Sequence, residues 1–256
     1  MNRLVNKLAI VNQKGGVGKS TTAVNLGASL AEMGKRVLIV DVDPQGNATS
    51  GLGVEKSSVK NSIYNVLVDD IEVEEAVLET KSENLYILPS NIDLAGAEIE
   101  LVSMISREKR LKIALEENKN EYDYILFDCP PSLGLLTLNA LSAANKIIVP
   151  IQCEYYALEG LGQLIETIKL VQKNLNKKLE IEGVVLTMYD ARTNLSKQVS
   201  EEVKNFFENK VYETVIPRNV RLSEAPSFGQ PVIEYASNSK GAKTYRKLAK
   251  EVNKNV

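Results

Sequence analysis

The 256-residue chain contains no histidine. That absence removes imidazole metal sites and every Ser-His-Asp or Cys-His arrangement. Cysteine is scarce: Cys129 and Cys153 lie 24 residues apart, a spacing that suits neither a disulfide framework nor a metal site and points to a reduced, cytosolic setting. After the mildly basic start, Met1–Lys7, the apolar stretch is only Leu8–Val11, too short for a signal peptide or a membrane span. There is no internal repeat, low-complexity tract or Pro/Gly-rich linker, so one domain over 1–256 is expected. Nor is there a large excess of one charge. The net charge of −2 means that any nucleic-acid binding must come from a local patch. What remains is an ordinary globular composition, 44% hydrophobic and 25% charged. A chain this long buries roughly 70% of its unfolded surface without needing a disulfide or a metal.

Short apolar runs punctuate the sequence at Leu8–Val11, Val37–Val40, Leu85–Leu88, Tyr124–Phe127, Ile147–Ile151 and Val184–Met188. Most lack polar alternation, as strands covered on both faces of a parallel sheet do. Helical spacing lies between them. Leu26, Leu30 and Met33 precede Gly34, a natural stop, and Leu161, Leu164, Ile165, Ile168 and Val171 mark another helix. Strands alternating with helices predict an α/β fold: a mostly parallel, twisted sheet with helices on both faces.

The strongest motif is Lys14-Gly15-Gly16-Val17-Gly18-Lys19-Ser20-Thr21, which follows a predicted strand and opens a predicted helix, the setting of a P-loop. Glycines let backbone N–H groups approach phosphate oxygens, and the helix N-terminus behind them completes an anion cradle. Lys19 is expected to reach the β- and γ-phosphates, Ser20 to hold Mg²⁺ and Thr21 to add a phosphate contact. The segment departs from G-x-x-x-x-G-K-[ST]: Gln13 stands at the first glycine position and Lys14 precedes the glycines. This is the deviant Walker A form, and the loop geometry points Lys14 away from the phosphates of its own subunit. The absence of an N-K-x-D motif favours ATP over GTP.

Phosphoryl transfer needs carboxylates at strand ends beside the loop. Leu38-Ile39-Val40 runs into Asp41-Val42-Asp43-Pro44-Gln45-Gly46, and the two aspartates are expected on opposite sides of the strand end. Asp43 is expected to orient the attacking water and Asp41 to support Mg²⁺ through its water shell. Ile125-Leu126-Phe127 ends in Asp128, Walker B-like, as a further Mg²⁺ residue. The following Pro130, Pro131, Ser132 and Gly134 read as a switch loop.

These strings, Asn12–Thr22, Asp41–Thr49 and Asp128–Gly134, resemble the ParA/Soj ATPases, a branch of the deviant Walker A group that also includes MinD. The resemblance continues through Gln152–Gly160, Asp190–Leu195 and Ile216–Ser227, and so spans almost the whole chain. It is closest to chromosomal Soj-like members, which lack an N-terminal helix-turn-helix; none is expected before Leu8. The resemblance implies an ATP-sandwiched homodimer in which Lys14 crosses to the partner's nucleotide, supplied in trans like an arginine finger. It implies nonspecific binding of duplex DNA through Arg192 and Arg221, and slow hydrolysis stimulated by a ParB/Spo0J-type centromere-binding partner. Chromosome or plasmid partitioning on the nucleoid would follow. In sporulating bacteria Soj-like proteins also affect replication initiation. The adenine is expected near Pro217, Asn219 and Met188, and Glu154 is expected to brace the region of the signature lysine, Lys14. Arg218 and the tail residues Lys240, Lys243, Arg246, Lys247 and Lys250 could extend the DNA patch.

Three other readings stay open. A MinD-like membrane cycle needs an amphipathic C-terminal helix, but Tyr245, Leu248, Ala249 and Val252 make only a small apolar face, read here as packed on the body, so no membrane partner is expected. A metabolic kinase or amidoligase needs a further substrate pocket. A nucleotide-gated scaffold with little turnover uses the same residues.

Overall fold

Val37–Asp41 is buried at all five positions, the signature of a strand covered on both faces. The computed structural model describes residues 5–118, 121–155 and 161–255 and builds a seven-stranded sheet around that strand. In chain order the strands are β1 (Asn6–Ile10), β2 (Val37–Asp41), β3 (Leu78–Glu79), β4 (Leu85–Leu88), β5 (Tyr124–Asp128), β6 (Lys146–Gln152) and β7 (Glu180–Thr187). Their spatial order is β3-β4-β2-β5-β1-β6-β7. Every pairing is parallel except β3 with β4.

Alternate residues of each strand feed two separate apolar clusters, as the two-residue strand period requires. Leu8, Ile10, Val37, Ile39 and Leu126 face one side, with Leu26 and Leu30 of helix α1 (Lys19–Glu32) and Tyr245, Leu248, Ala249 and Val252 of the helix Lys240–Asn255. Ala9, Leu38, Val40 and Phe127 face the other, with Leu136 and Ala140 and with Leu164 and Ile168 from helices Leu135–Ala143 and Leu161–Asn174. The apolar face of the last helix is therefore spent on the body. No described helix is long and apolar enough to cross a membrane.

Several boundaries differ from the expected runs: β2 and β5 each extend one residue further, to Asp41 and Asp128, and β6 runs from Lys146 to Gln152. β1 starts at Asn6 and leaves Val11 outside the strand. β7 starts at Glu180 and ends at Thr187, because Met188 takes a left-handed φ of 51° that breaks the ladder. The two-residue β3 has no counterpart among the expected runs.

The parallel register sets the chemistry. Asp41 and Ile10 both pair with Asp128, so the C-terminal ends of β2, β5 and β1 lie side by side, with the loop before α1 above them. Carboxyl ends of adjacent parallel strands are where open α/β sheets bind ligands.

Candidate functional site

The segment from Lys14 to Gly18 links β1 to α1. Gly18 has φ 88° and occupies the N-cap position of α1, with no side chain capping the helix. Only glycine takes that conformation cheaply, and the uncapped N–H groups are left for a ligand. Lys19 is 7% exposed, and its ammonium donates to the Lys14 carbonyl at 3.0 Å, curling back over the loop. Burial lowers its pKa, opposed by Asp128, Cys129 and Asp43. The Lys14 backbone N–H donates to Asn12 Oδ1 at 3.0 Å, and Asn12 Nδ2 to the Pro150 carbonyl at 2.7 Å. The Lys14 ammonium has no hydrogen-bond or ion-pair partner among the described residues, and Lys14 is not a wall of the adjacent cleft. Val17 is buried and offers the loop only its backbone.

Two clefts meet at the loop. One, of about 440 Å³, is lined by Gly15, Gly16, Lys19, Ser20 and Asp43. The other, of about 350 Å³, is lined by Pro217, Asn219, Ser223 and Tyr245. Gly18, Thr21, Met188 and Pro226 border both. The phosphate-loop residues and the expected base-binding residues are thus brought together along one continuous surface.

The three aspartates differ in their environments. Both Asp41 oxygens are occupied: Oδ2 accepts from Thr49 N and Thr49 Oγ1 at 2.8 and 2.7 Å, and Oδ1 from Asp43 N at 3.3 Å. Asp41 braces the loop that follows β2 and does not line the cleft; burial pushes its pKa up to about 6. Asp43 accepts from Gln45 N at 2.9 Å and does line the cleft. Asp128 is fully buried, and neither carboxylate oxygen has a hydrogen bond of regular geometry. Burial, then Asp41, raises its pKa well above the usual value, while the nearby Ser20 hydroxyl lowers it.

A buried carboxylate without a partner, beside a hydroxyl and an open cleft, suits a hydrated cation. Among the described residues no three acidic or sulfur ligands converge as a protein-only cage. Mg²⁺ does not require one, since it keeps waters and takes phosphate oxygens alongside one or two protein groups.

Each expected DNA-binding arginine lies against an acid. Arg192 pairs with Asp190, Arg218 with Glu154 and Arg221 with Glu224. The hydrogen bonds from Arg192 hold the Asp190 carboxyl well below the usual carboxylate range. Glu154 also accepts from Gln152. Of the string Gln152–Gly160, residues 156–160 lie outside the described residues. In the tail, Arg246 grips Glu32 through two bonds at 2.7 and 2.8 Å and serves packing, whereas Lys240, Lys243, Lys247 and Lys250 are exposed.

Two contacts escaped the sequence reading. Thr187 Oγ1 donates to the Val17 carbonyl at 2.8 Å; the only hint is a hydroxyl closing an apolar run. Asn219 Oδ1 accepts from Arg221 N at 3.0 Å, capping the helix Val220–Glu224. An asparagine before a helical stretch is a legible signal.

Comparison with known proteins adds lineage. The family model described as an AAA domain matches residues 5–181. The sporulation initiation inhibitor protein Soj of Bacillus subtilis is 66% identical over 96% of this chain and 97% of its own. The chromosome partitioning protein ParA of Myxococcus xanthus is 54% identical over 96% and 87%. Among solved structures, cobyrinic acid a,c-diamide synthase from Mycobacterium smegmatis, with bound ADP and magnesium, is 41% identical, with a TM-score of 0.87 over 98% of this chain and 95% of that one.

Proposed function

The chain belongs to the ParA/Soj family of chromosome-partitioning ATPases and hydrolyses ATP with Mg²⁺, and on that premise we propose that it is a dimerising switch that grips duplex DNA without regard to sequence. ATP is sandwiched between two protomers. The ATP-bound pair associates with the nucleoid, and a ParB/Spo0J-type protein accelerates slow hydrolysis and releases it.

In this reading Lys19 and the N–H groups of Gly15–Thr21 bind the phosphates, and Asp43 orients the attacking water. Ser20 would hold Mg²⁺, with Asp128 acting through its water shell and Asp41 bracing the loop after β2 instead of reaching the cation; the cation would supply positive charge to the phosphates. Met188, Pro217 and Asn219 enclose the base. Lys14, without a partner among the described residues of its own protomer, reaches the partner's nucleotide.

One observation carries the coupling between nucleotide and DNA. Tyr189 bridges Pro217 in parallel, with Tyr189 N donating to the Ile216 carbonyl and Arg218 N to the Tyr189 carbonyl. The two segments joined there contain Met188, Pro217 and Asn219 of the base cleft and also Arg192, Arg218 and Arg221. A change at the base is felt by the arginines through one short hydrogen-bonded unit.

Anisotropy with random-sequence duplex DNA, in ATP, ADP and no nucleotide at two salt concentrations, tests the reading. Salt-sensitive binding with ATP alone is expected, because phosphate contacts release counterions. ATP-dependent dimers that never bind DNA would refute it. The name of the M. smegmatis structure favours a second reading, an amide-forming synthetase. Turnover that required an amine donor and ignored DNA would support that one instead.

A further inference from the structure

Arg192 contacts Asp190 at two points, Nε to Oδ1 at 2.9 Å and NH2 to Oδ2 at 2.7 Å. Arg221 NH1 reaches Glu224 at 2.7 Å, and the Tyr235 hydroxyl donates to the same carboxylate oxygen at 3.1 Å. Arg218 NH2 reaches Glu154 at 3.3 Å. In every pair the arginine is the more exposed member: 89, 66 and 56% for Arg192, Arg218 and Arg221, against 24, 46 and 36% for their acids. Each guanidinium spends part of its N–H donors on an acid while its side chain stays largely exposed.

We propose that Asp190, Glu154 and Glu224 form an intramolecular acidic latch on the DNA face, which keeps a single protomer off DNA. This rests on the DNA-binding reading above. Duplex affinity follows the positive charge brought to the phosphates, and a paired arginine brings little. The chain's net charge of −2 supplies no background attraction. Exposed ion pairs are weak, so phosphates displace them once two protomers present their strips together, when the second contact becomes effectively intramolecular. The latch thereby sets the contrast between nucleotide states, and Asp190, Glu154 and Glu224 are its determinants.

The test uses the full chain with Asp190→Asn and Glu224→Gln, singly and combined. Both substitutions keep shape and one acceptor oxygen while removing charge; in Asp190→Asn an NH2 group replaces one of the two oxygens that Arg192 uses. Glu79→Gln, on β3 at the opposite edge of the sheet, controls for overall charge. Duplex binding is read by anisotropy in each nucleotide state, with dimerisation followed by light scattering. Each latch variant is expected to bind roughly 3- to 10-fold tighter with ATP, to dimerise as before, and in combination to bind without nucleotide. Glu79→Gln should stay within about twofold of wild type. Unchanged or weaker binding would mean that the acids position the arginines, and an equal gain in Glu79→Gln would reduce the effect to bulk charge; either overturns the latch. If wild type binds with ATP and the variants do not improve, only the latch falls. If neither wild type nor the double variant binds in any state, the DNA reading falls and takes the latch with it.

Discussion

Thr187 Oγ1 donates a 2.8 Å hydrogen bond to the Val17 carbonyl, fastening the end of β7 to the phosphate loop. Thr187 is 2% exposed, so water does not compete for the bond. The next residue, Met188, turns out of the strand with φ 51° and borders both clefts. Thr187→Val keeps the shape, removes the donor and leaves a buried carbonyl unpaired, at a cost of about 1–3 kcal/mol. Felt at the loop, that weakens ATP binding roughly 5- to 150-fold. Titration with a labelled nucleotide measures it, and Thr187→Ser should recover most of the loss. Wild-type affinity in Thr187→Val would show that the loop keeps its shape unaided.

Gly15 is exposed, and a Cβ built on it meets nothing within 4 Å. Its φ is not left-handed. Nothing among the described residues blocks a side chain there; in the proposed ATP sandwich that space is taken by the second subunit. Gly15→Val is therefore expected to melt within about 2 °C of wild type and to bind ATP, but to lose the ATP-dependent dimer in light scattering. A surviving dimer would count against the sandwich.

The sequence was legible where one physical cause dominates. Unbroken apolar runs such as Val37–Val40 became strands because both sheet faces are covered. The loop at Lys14–Thr21 was readable because phosphate binding dictates residue types at fixed spacing. Elements with mixed causes were harder. β3 is two exposed residues, Leu78 and Glu79, held by pairing with β4 rather than by a pattern of their own. The start of β7 hides behind Glu180 and Glu182, polar residues on an edge strand. The expectation that Asp41 and Asp43 lie on opposite sides does not follow from strand alternation, which puts residues two apart on one face; their environments differ because β2 ends at Asp41, and that Asp41 would be saturated by Thr49 depends on how the next helix, α2 (Asn47–Gly51), folds back. Two latch pairs are near neighbours in sequence, whereas Glu154 and Arg218 lie 64 residues apart, and only the tertiary fold joins them.

Lys19 and Asp43 should separate binding from hydrolysis. Lys19→Ala removes a charge-assisted phosphate contact and is expected to abolish nucleotide binding and, with it, turnover. Asp43→Ala leaves the cradle intact and is expected to bind ATP normally, hydrolyse it at least 100-fold more slowly, given general estimates for proton-transfer groups of roughly 10²–10⁴, and accumulate as dimer. Equilibrium binding, phosphate release and light scattering distinguish the two. An Asp43→Ala protein that stays monomeric in ATP would remove the water-orienting role.

Asp128 places function and stability in opposition. Its carboxylate is buried without a hydrogen bond of regular geometry, and burial followed by the nearby Asp41 raises its pKa well above the usual value, against the opposing pull of the Ser20 hydroxyl. In the unfolded chain the group titrates near pH 3.9. Between that value and the raised one, the folded protein holds a proton that the unfolded chain lacks. Metal-free stability therefore falls as pH rises through this window and stays low above it. Asp41, raised to about 6, acts with the same sign. Asp190, whose carboxyl is lowered, acts oppositely, but only near and below about pH 4. In chelator, wild-type protein should melt higher as the pH drops from about 8 towards about 5. Asp128→Asn removes the charge, so it should melt higher than wild type at about pH 8 by about 1–3 kcal/mol. At 2–4 °C per kcal/mol for a chain of this size, that is roughly 2–12 °C. Its dependence on pH should be shallower, with the remainder contributed by Asp41, and its Mg²⁺-dependent hydrolysis should collapse. A lower melting point with an unchanged pH slope would mean that the Asp128 carboxylate stabilises the fold.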